Sequence, residues 1–447
     1  MSEQAAPVNF RRVLRLQDLI LYGIIIIQPT APMPVFGVVS QVARGHVVTV
    51  ILIAMVAMLF TAISYGRMAR AYPSAGSAYT YVTNELHPGL GYLTGWSITM
   101  DYLLNPIICT IWCSKAAGNF LPMVPYPVFV VAFALLFTML NLRGVETSAR
   151  VNRTMAFGMG AVVLLFFGYT IHYLMLHAGE LTPASFLLPF YNPKTFSWPL
   201  VSTGTAIAVL TYIGFDGVST LSEEVENPQR NILLATVLTC VITGVLASLE
   251  VYAGQMIWPD YQHYPDVDTA FVHIAGRAGG MVLFSIVNLT LLVANVGSGF
   301  GSQLGAARLL FGMGRDNAIP KRFFGYLDPK SRIPRNNVLF SGALALIGAL
   351  VLSYGLGAEL LNFGAFIAFM GVNASAFVHY CVRRKQWSWG DWVPPVLGFV
   401  VCCYIWLSLS SPAKIAGATW LAIGLLYGAA RGRLRRSETS SIESPSA

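Results

Sequence analysis

The chain has 447 residues, 55% of them hydrophobic and only 11% charged, against the quarter or so of charged residues usual in a soluble domain. That balance excludes a soluble enzyme or binding module and makes lipid the expected solvent, with apolar runs of roughly 20 residues as the spanning units. The net charge of +8 and pI near 9.2 do not indicate a nucleic-acid partner, because the basic residues are scattered between apolar runs and form no single patch.

Taken in chain order, apolar run length and loop signals predict twelve transmembrane helices, at 16–42, 47–68, 87–115, 126–142, 154–176, 198–221, 231–257, 281–313, 338–354, 358–382, 393–410 and 414–430. A polar segment at 1–15 precedes them, and the apolar run after it is too long for a signal peptide and lacks a small-residue cleavage site. A serine-rich tail at 431–447 follows them, polar, without apolar periodicity and expected to be disordered. With both termini cytoplasmic, 23 of the 28 Lys and Arg fall on inner segments, and Arg44, Lys115, Lys194, Arg277 and Lys414 fall outside. Basic residues resist translocation, so this bias sets the orientation of a multi-pass protein in a cytoplasmic membrane.

The first span reads LILYGIIII and then QPTAPMP before resuming as VFGVVSQV. Proline lacks the amide hydrogen and clashes with the preceding turn, so Pro29, Pro32 and Pro34 must break this helix near its middle. Non-helical backbone at membrane depth is tolerated only against protein or a water-filled cavity, which makes Gln28, Pro29 and Thr30 candidate cavity wall. The third span carries Asp101 in GWSITMDYLLNP. Its neighbours Tyr102 and Asn105 can hydrogen-bond a substrate ammonium or simply satisfy Asp101. In the sixth span Gly214 and Gly217 flank Phe215 and Asp216, loosening the helix where the carboxylate sits. An ionisable group in a span is costly unless paired or hydrated, so Asp216 either meets a ligand or binds backbone amides freed by the break. Phe215 can close over a cation through its ring face, or merely pack.

Glu250 lies in VLASLEVYAGQ of the seventh span, nearer a helix end, where it faces either external solvent or the site. Either Asp101 or Glu250 can exchange a proton, because desolvation favours the neutral carboxyl and a bound cation favours the charged one. Asn288, Asn295 and Ser298 share one face of the eighth span, as a substrate contact or as glue between helices. Glu223 and Glu224, at the inner end of the sixth span, read as gate or helix-end groups facing Arg67 or Arg230. The six cysteines lie within or beside apolar runs, which argues against a disulfide framework. His172, His177, His263, His273 and His379 sit at helix ends or in outer loops without ligand spacing, which suits interfacial roles. The Gly297, Gly299, Gly301 run lacks the strand context and Lys-Ser/Thr ending of a phosphate loop, so no nucleotide, metal or other cofactor is expected.

Two halves match by pattern, 16–176 and 198–382, with 393–430 as two extra spans. Each half has an interrupted first span, a long third span, and an extended segment between its second and third, around 71–86 and 259–280. Five helices per half put the second half upside down, and inverted repeats with a broken first helix indicate a carrier with a midplane site.

The run GFDGVSTLSEEVENPQRNI at 214–232, with YPSAGSAYTYV at 72–82 and ARLLFGMGRDNAIPKRF at 307–323, resembles the amino acid, polyamine and organocation transporter superfamily across nearly the whole chain. The resemblance implies a LeuT-type fold of five plus five inverted helices with discontinuous helices 1 and 6, alternating access, and a substrate held between spans 1, 3, 6, 8 and 10. Amino acid carriers of this family usually show a Gly-Ser-Gly-like break whose bare amides hold the substrate carboxylate. QPTAPMP departs from that pattern, and YGIIIIQPTAPM with MDYLLNP looks most like bacterial putrescine importers. By that resemblance Asp101 and Asp216 hold ammonium groups while Tyr102, Tyr212 and Phe215 flank the aliphatic linker. The expectation is proton-driven uptake of a diamine, with a zwitterionic amino acid permease or amino acid/amine exchanger as the alternative. A channel would need a continuous polar pore lining, and a membrane enzyme a nucleophile or metal cluster with its required neighbours.

Overall fold

The computed structural model describes residues 14–72, 77–144, 149–221, 224–315, 319–329 and 331–430. The polar leader up to residue 13, Glu223 and the tail from 431 lie outside the described residues. The described chain is helical, without a β-sheet, in the order α1 (Leu16–Ile27), α2 (Pro32–Val42), α3 (Val47–Ala71), α4 (Ser77–Glu85), α5 (Pro88–Phe120), α6 (Tyr126–Leu142), α7 (Ala149–Leu176), α8 (Trp198–Ala208), α9 (Pro228–Ile257), α10 (Ala270–Arg315), α11 (Lys321–Phe324), α12 (Arg335–Val351), α13 (Tyr354–Phe377), α14 (Trp389–Leu407) and α15 (Ser411–Ala430). Among the described residues, eight helical segments are long and apolar enough to cross a membrane. The bent pair α1 and α2 makes a ninth, and α6 and α12 are shorter apolar helices.

Two segments expected to be extended contain helix. α4 fills most of 71–86, and α10 begins at Ala270, then turns at Gly279 and Gly280 before its long run. Gly280 has φ +66, a region that suits glycine, so the turn falls where no Cβ stands in the way.

Small residues set the closest approaches, as they must where lipid is no worse a solvent for Leu than protein is. Gly66 of α3 faces the backbone of Leu233 in α9, where a Cβ would lie 2.6 Å from the Leu233 Cα. Gly23 of α1 lets Thr239 of α9 come equally near, and Gly364 of α13 lies against the Ser97 carbonyl of α5. These contacts draw α1, α3, α5, α9 and α13 around the two interrupted spans.

Candidate substrate-binding site

The first interruption follows from the prolines. α1 stops at Ile27, Gln28 takes φ 72 and ψ 133, and α2 restarts at Pro32 with a bend of 55°. Proline is well suited to a first helical position because its missing N–H would have no intrahelical partner there. Three of the four non-proline amides are spent locally: Gln28 donates to the Ile24 carbonyl (2.9 Å), Ala31 to Gln28 (3.1 Å) and Met33 to Thr30 (3.1 Å), while the Thr30 amide donates to no carbonyl among the described residues. Pro29 and Thr30 are buried, and the Gln28 Nε2 reaches the Ala294 carbonyl of α10 at 3.4 Å.

The second interruption is made by glycine. α8 gives way at Ala208 to a 3₁₀ turn (Val209–Tyr212), Ile213 is extended, and a second 3₁₀ segment runs over Phe215–Leu221. Gly214 between them has φ +120, and a Cβ on it would lie 2.6 Å from the Ile26 Cγ2 of α1. The break therefore needs glycine both for conformation and for room against the other break. Asp216 turns its carboxylate onto the backbone amides of Gly214, Asp216 and Gly217.

α5 supplies the third wall. Asp101 and Asp216 lie deep in the protein, feel each other's charge, and still keep part of their surface open. Depth combined with open surface is what side chains bordering an internal space show. Tyr102 is 41% exposed, lies against Gly305 of α10, and faces Asp101, Asp216 and Tyr22. Phe215 is fully buried, edge-on to Tyr65 at 5.6 Å and tilted to Phe369 at 5.5 Å between ring centroids. Tyr65 in turn faces both carboxylates. Sequence reasoning missed Tyr65 and Phe369, because an aromatic in an apolar run carries no local mark of the face it turns inward. Carboxylates and aromatic rings around one space can hold an ammonium by charge-assisted hydrogen bonds and by ring faces.

Other expected contacts lie elsewhere. Tyr212 is completely buried and its hydroxyl donates to the Ile51 carbonyl of α3 at 2.8 Å. The Asn295 amide donates to Leu291 one turn back in its own helix (2.9 Å). Asn288 donates to the Ala116 carbonyl (2.8 Å) and accepts from Asn119, so it joins α10 to α5 as glue. Glu250 does not face external solvent: it is 0% exposed. Among the described residues Arg67 does not pair with Glu224. It bonds the Asp391 carboxylate and the Gly390 carbonyl and lies over the Tyr380 ring. Glu224 is half-buried, and its carbonyl accepts from the Leu14 amide at 3.0 Å. His379 is not interfacial either; it is buried, with Nδ1 2.5 Å from Glu85. Tyr72 and Arg383 hold the same Glu85 carboxylate, at 2.5 and 3.2 Å. Burial and then this hydrogen bond push the Tyr72 hydroxyl up to about 12. These contacts tie α4 to the π-helical turn Val378–Arg383 after α13.

A family model for amino acid permeases matches residues 35–431. The chain belongs to the amino acid permease family. The permease is 34% identical to the low-affinity putrescine importer PlaP of Escherichia coli over 96% of each chain. It is 25% identical to the branched-chain amino acid permease BcaP of Lactococcus lactis over 97% of each. It is also 26% identical to the methylthioribose transporter of Bacillus subtilis, over 95% of this chain and 94% of that one. This permease is therefore a multi-pass membrane transporter and not an enzyme.

Proposed function

We propose that this permease imports a small organic diamine of the putrescine class across a cytoplasmic membrane, driven by a proton gradient. One observation supports the reading: two carboxylates, Asp101 and Asp216, lie deep in the protein within reach of each other's charge, in a chain whose first span interruption is built from prolines that offer no amides to a carboxylate. One ammonium of the diamine is held at Asp101, with Tyr102 beside it. Phe215 and Tyr65 face the aliphatic linker, and the second ammonium lies toward Asp216, with Gln28, Pro29 and Thr30 as the wall opposite. Tyr212 and Asn295 support the walls without touching substrate. The similarity to PlaP, a putrescine importer by name, favours the same substrate class.

The architecture that goes with this reading has twelve spans: the nine segments above, α6, α12, and the 33-residue α5. They form a LeuT-type five-plus-five inverted repeat with both termini cytoplasmic. A short helix after the second span of each half, α4 and the segment of α10 before Gly279, supports the repeat. Glu223 and Glu224 stand at the cytoplasmic gate.

Proteoliposomes test it. Labelled putrescine should accumulate under an inward pH gradient and compete with other diamines. No diamine uptake alongside saturable uptake of a zwitterionic amino acid would replace this reading with the amino acid permease reading, which the similarity to BcaP favours.

A further inference from the structure

Among the described residues, the buried carboxylates of this permease have partners, with one exception. Glu85 has Tyr72, His379 and Arg383, Asp391 has Arg67 and Ser388, and Glu359 accepts from the Ser410 amide at 2.8 Å. Glu250 of α9 is 0% exposed, and among the described residues neither of its oxygens has a hydrogen-bond partner. Nor does any described charged or titratable group act on it from the elements against α9, which are α1, α2, α3, α7, α10 and the two 3₁₀ segments of the sixth span that carry Tyr212 and Asp216, or from α9 itself.

Its surroundings follow from helix register. Thr239, Thr243, Glu250 and Gly254 share a face of α9 at the helical period. At the inner end of that face Thr239 meets Gly23 of α1; at the outer end Gly254 meets Phe36 of α2, a Cβ there lying 3.2 Å from the ring. Glu250 lies between the two, roughly 16 Å beyond Thr239 at about 1.5 Å per residue. That level is the start of α2, beside the interruption of the first span. A charged carboxylate so placed gives up hydration for nothing, at a cost of several kcal/mol. The form that fits is the one carrying a proton.

The outer cavity lies one to two turns further along the helix. Gln255 lies five residues further along α9, about 7.5 Å by helical rise. It is 4% exposed, and its Oε1 is also without a partner. It lines a cavity of about 230 Å³ on the outer side, together with Arg44, His177, Glu180, Tyr261 and Arg277.

We propose that Glu250 is the residue that carries the coupling proton, taking it from the external cavity past Gln255 and releasing it inward when the interrupted first span rearranges around a bound cation. The inference rests on the proton-driven diamine uptake proposed above, and adds where the proton rides. Glu250 touches no substrate; it acts through the break between α1 and α2.

One proton per cycle is worth about tenfold in concentration ratio for each pH unit. In proteoliposomes with the membrane potential clamped at zero, Glu250→Gln should lose this accumulation, its internal putrescine settling at the external concentration. Putrescine counterflow should persist, because an amide mimics the proton-bearing acid. Accumulation at the wild-type ratio would overturn the proposal. A second measurement uses the unmodified protein and does not depend on the variant folding. A hydrophobic carbodiimide adds only to a proton-bearing carboxyl, so mass spectrometry should find Glu250 modified, faster at pH 6 than at pH 8.5. Absence of modification at Glu250 at either pH would overturn the proposal. A wild-type protein without putrescine counterflow would sink the substrate reading instead, and the carbodiimide result would still decide for or against Glu250.

Discussion

The two interrupted spans reach the same end by opposite chemistry. Between α1 and α2 the break is built from residues that, Thr30 excepted, have no amide to offer or have already spent it on a neighbouring carbonyl. In the sixth span the break is built from glycines, which free amides, and the chain supplies its own anion, Asp216, to take them up. A carboxylate-bearing substrate finds a single bare amide, that of Thr30, at the first break and an occupied set at the second. An ammonium meets the reverse, with Asp101 free of backbone partners and Asp216 partly engaged. On the proposed reading, the pair of breaks sorts substrates by charge before any contact with their side chains.

The largest test of that contrast is Asp101→Asn. A hydrogen bond to a charged group is worth about 1.5–3 kcal/mol, and Asp101 has no amide to fall back on, so putrescine affinity should drop about 100-fold in a binding titration. Folded yield and melting temperature should hold. Unchanged affinity would make Asp101 a structural acid and leave the first break without a cationic ligand to face.

Gly214→Ala should come next, and should act on stability before binding. At φ +120 an L side chain is strained, and its Cβ would press on Ile26 across the two breaks. About 2 kcal/mol of destabilisation is expected, read as a lower melting temperature of the purified protein. A neutral result would mean that the sixth span can break without glycine.

Asp216→Asn should cost less binding than Asp101→Asn, about tenfold, because part of this carboxylate is already committed to the Gly214, Asp216 and Gly217 amides. The asymmetry is the prediction. Equal losses at the two acids would show that the amides make no claim on Asp216 in the bound state, and the contrast between the breaks would lose its second half.

How much of this was legible beforehand depends on the length scale of each signal. The interruptions were legible because proline and glycine act on their own backbone, and a QPTAPMP run has the same consequence in any helix. The acids were legible because charge in an apolar run is rare. What each acid meets was not, since partners come from other helices. Nothing near Glu250 in sequence says what its face of α9 packs against, and of the two alternatives the one in which it faces external solvent failed for that reason. Tyr65 and Tyr212 make the same point from opposite sides, since both are aromatics in apolar runs, yet one faces the carboxylates and the other bonds the Ile51 carbonyl. His379 reaches Glu85 only because α4 folds in a segment that reads as loop, beneath a π-helical turn that no periodicity signals.

The smallest expected effect would make the first break resemble the break of an amino acid carrier. Pro32 occupies the first position of α2, where an N–H has no intrahelical partner and would join the positive end of the helix dipole. Pro32→Ala adds that single donor without removing any hydrogen bond. A charged group near a helix N-terminus gains about 0.3–1 kcal/mol, so a zwitterionic amino acid should become a weak competitor of putrescine, improved by about two- to fivefold over wild type. Putrescine affinity itself should fall slightly, since the new dipole end repels an ammonium. If competition by the amino acid is no better in Pro32→Ala than in wild type, the missing amides are not what excludes carboxylates, and the charge of Asp101 and Asp216 alone must do the sorting.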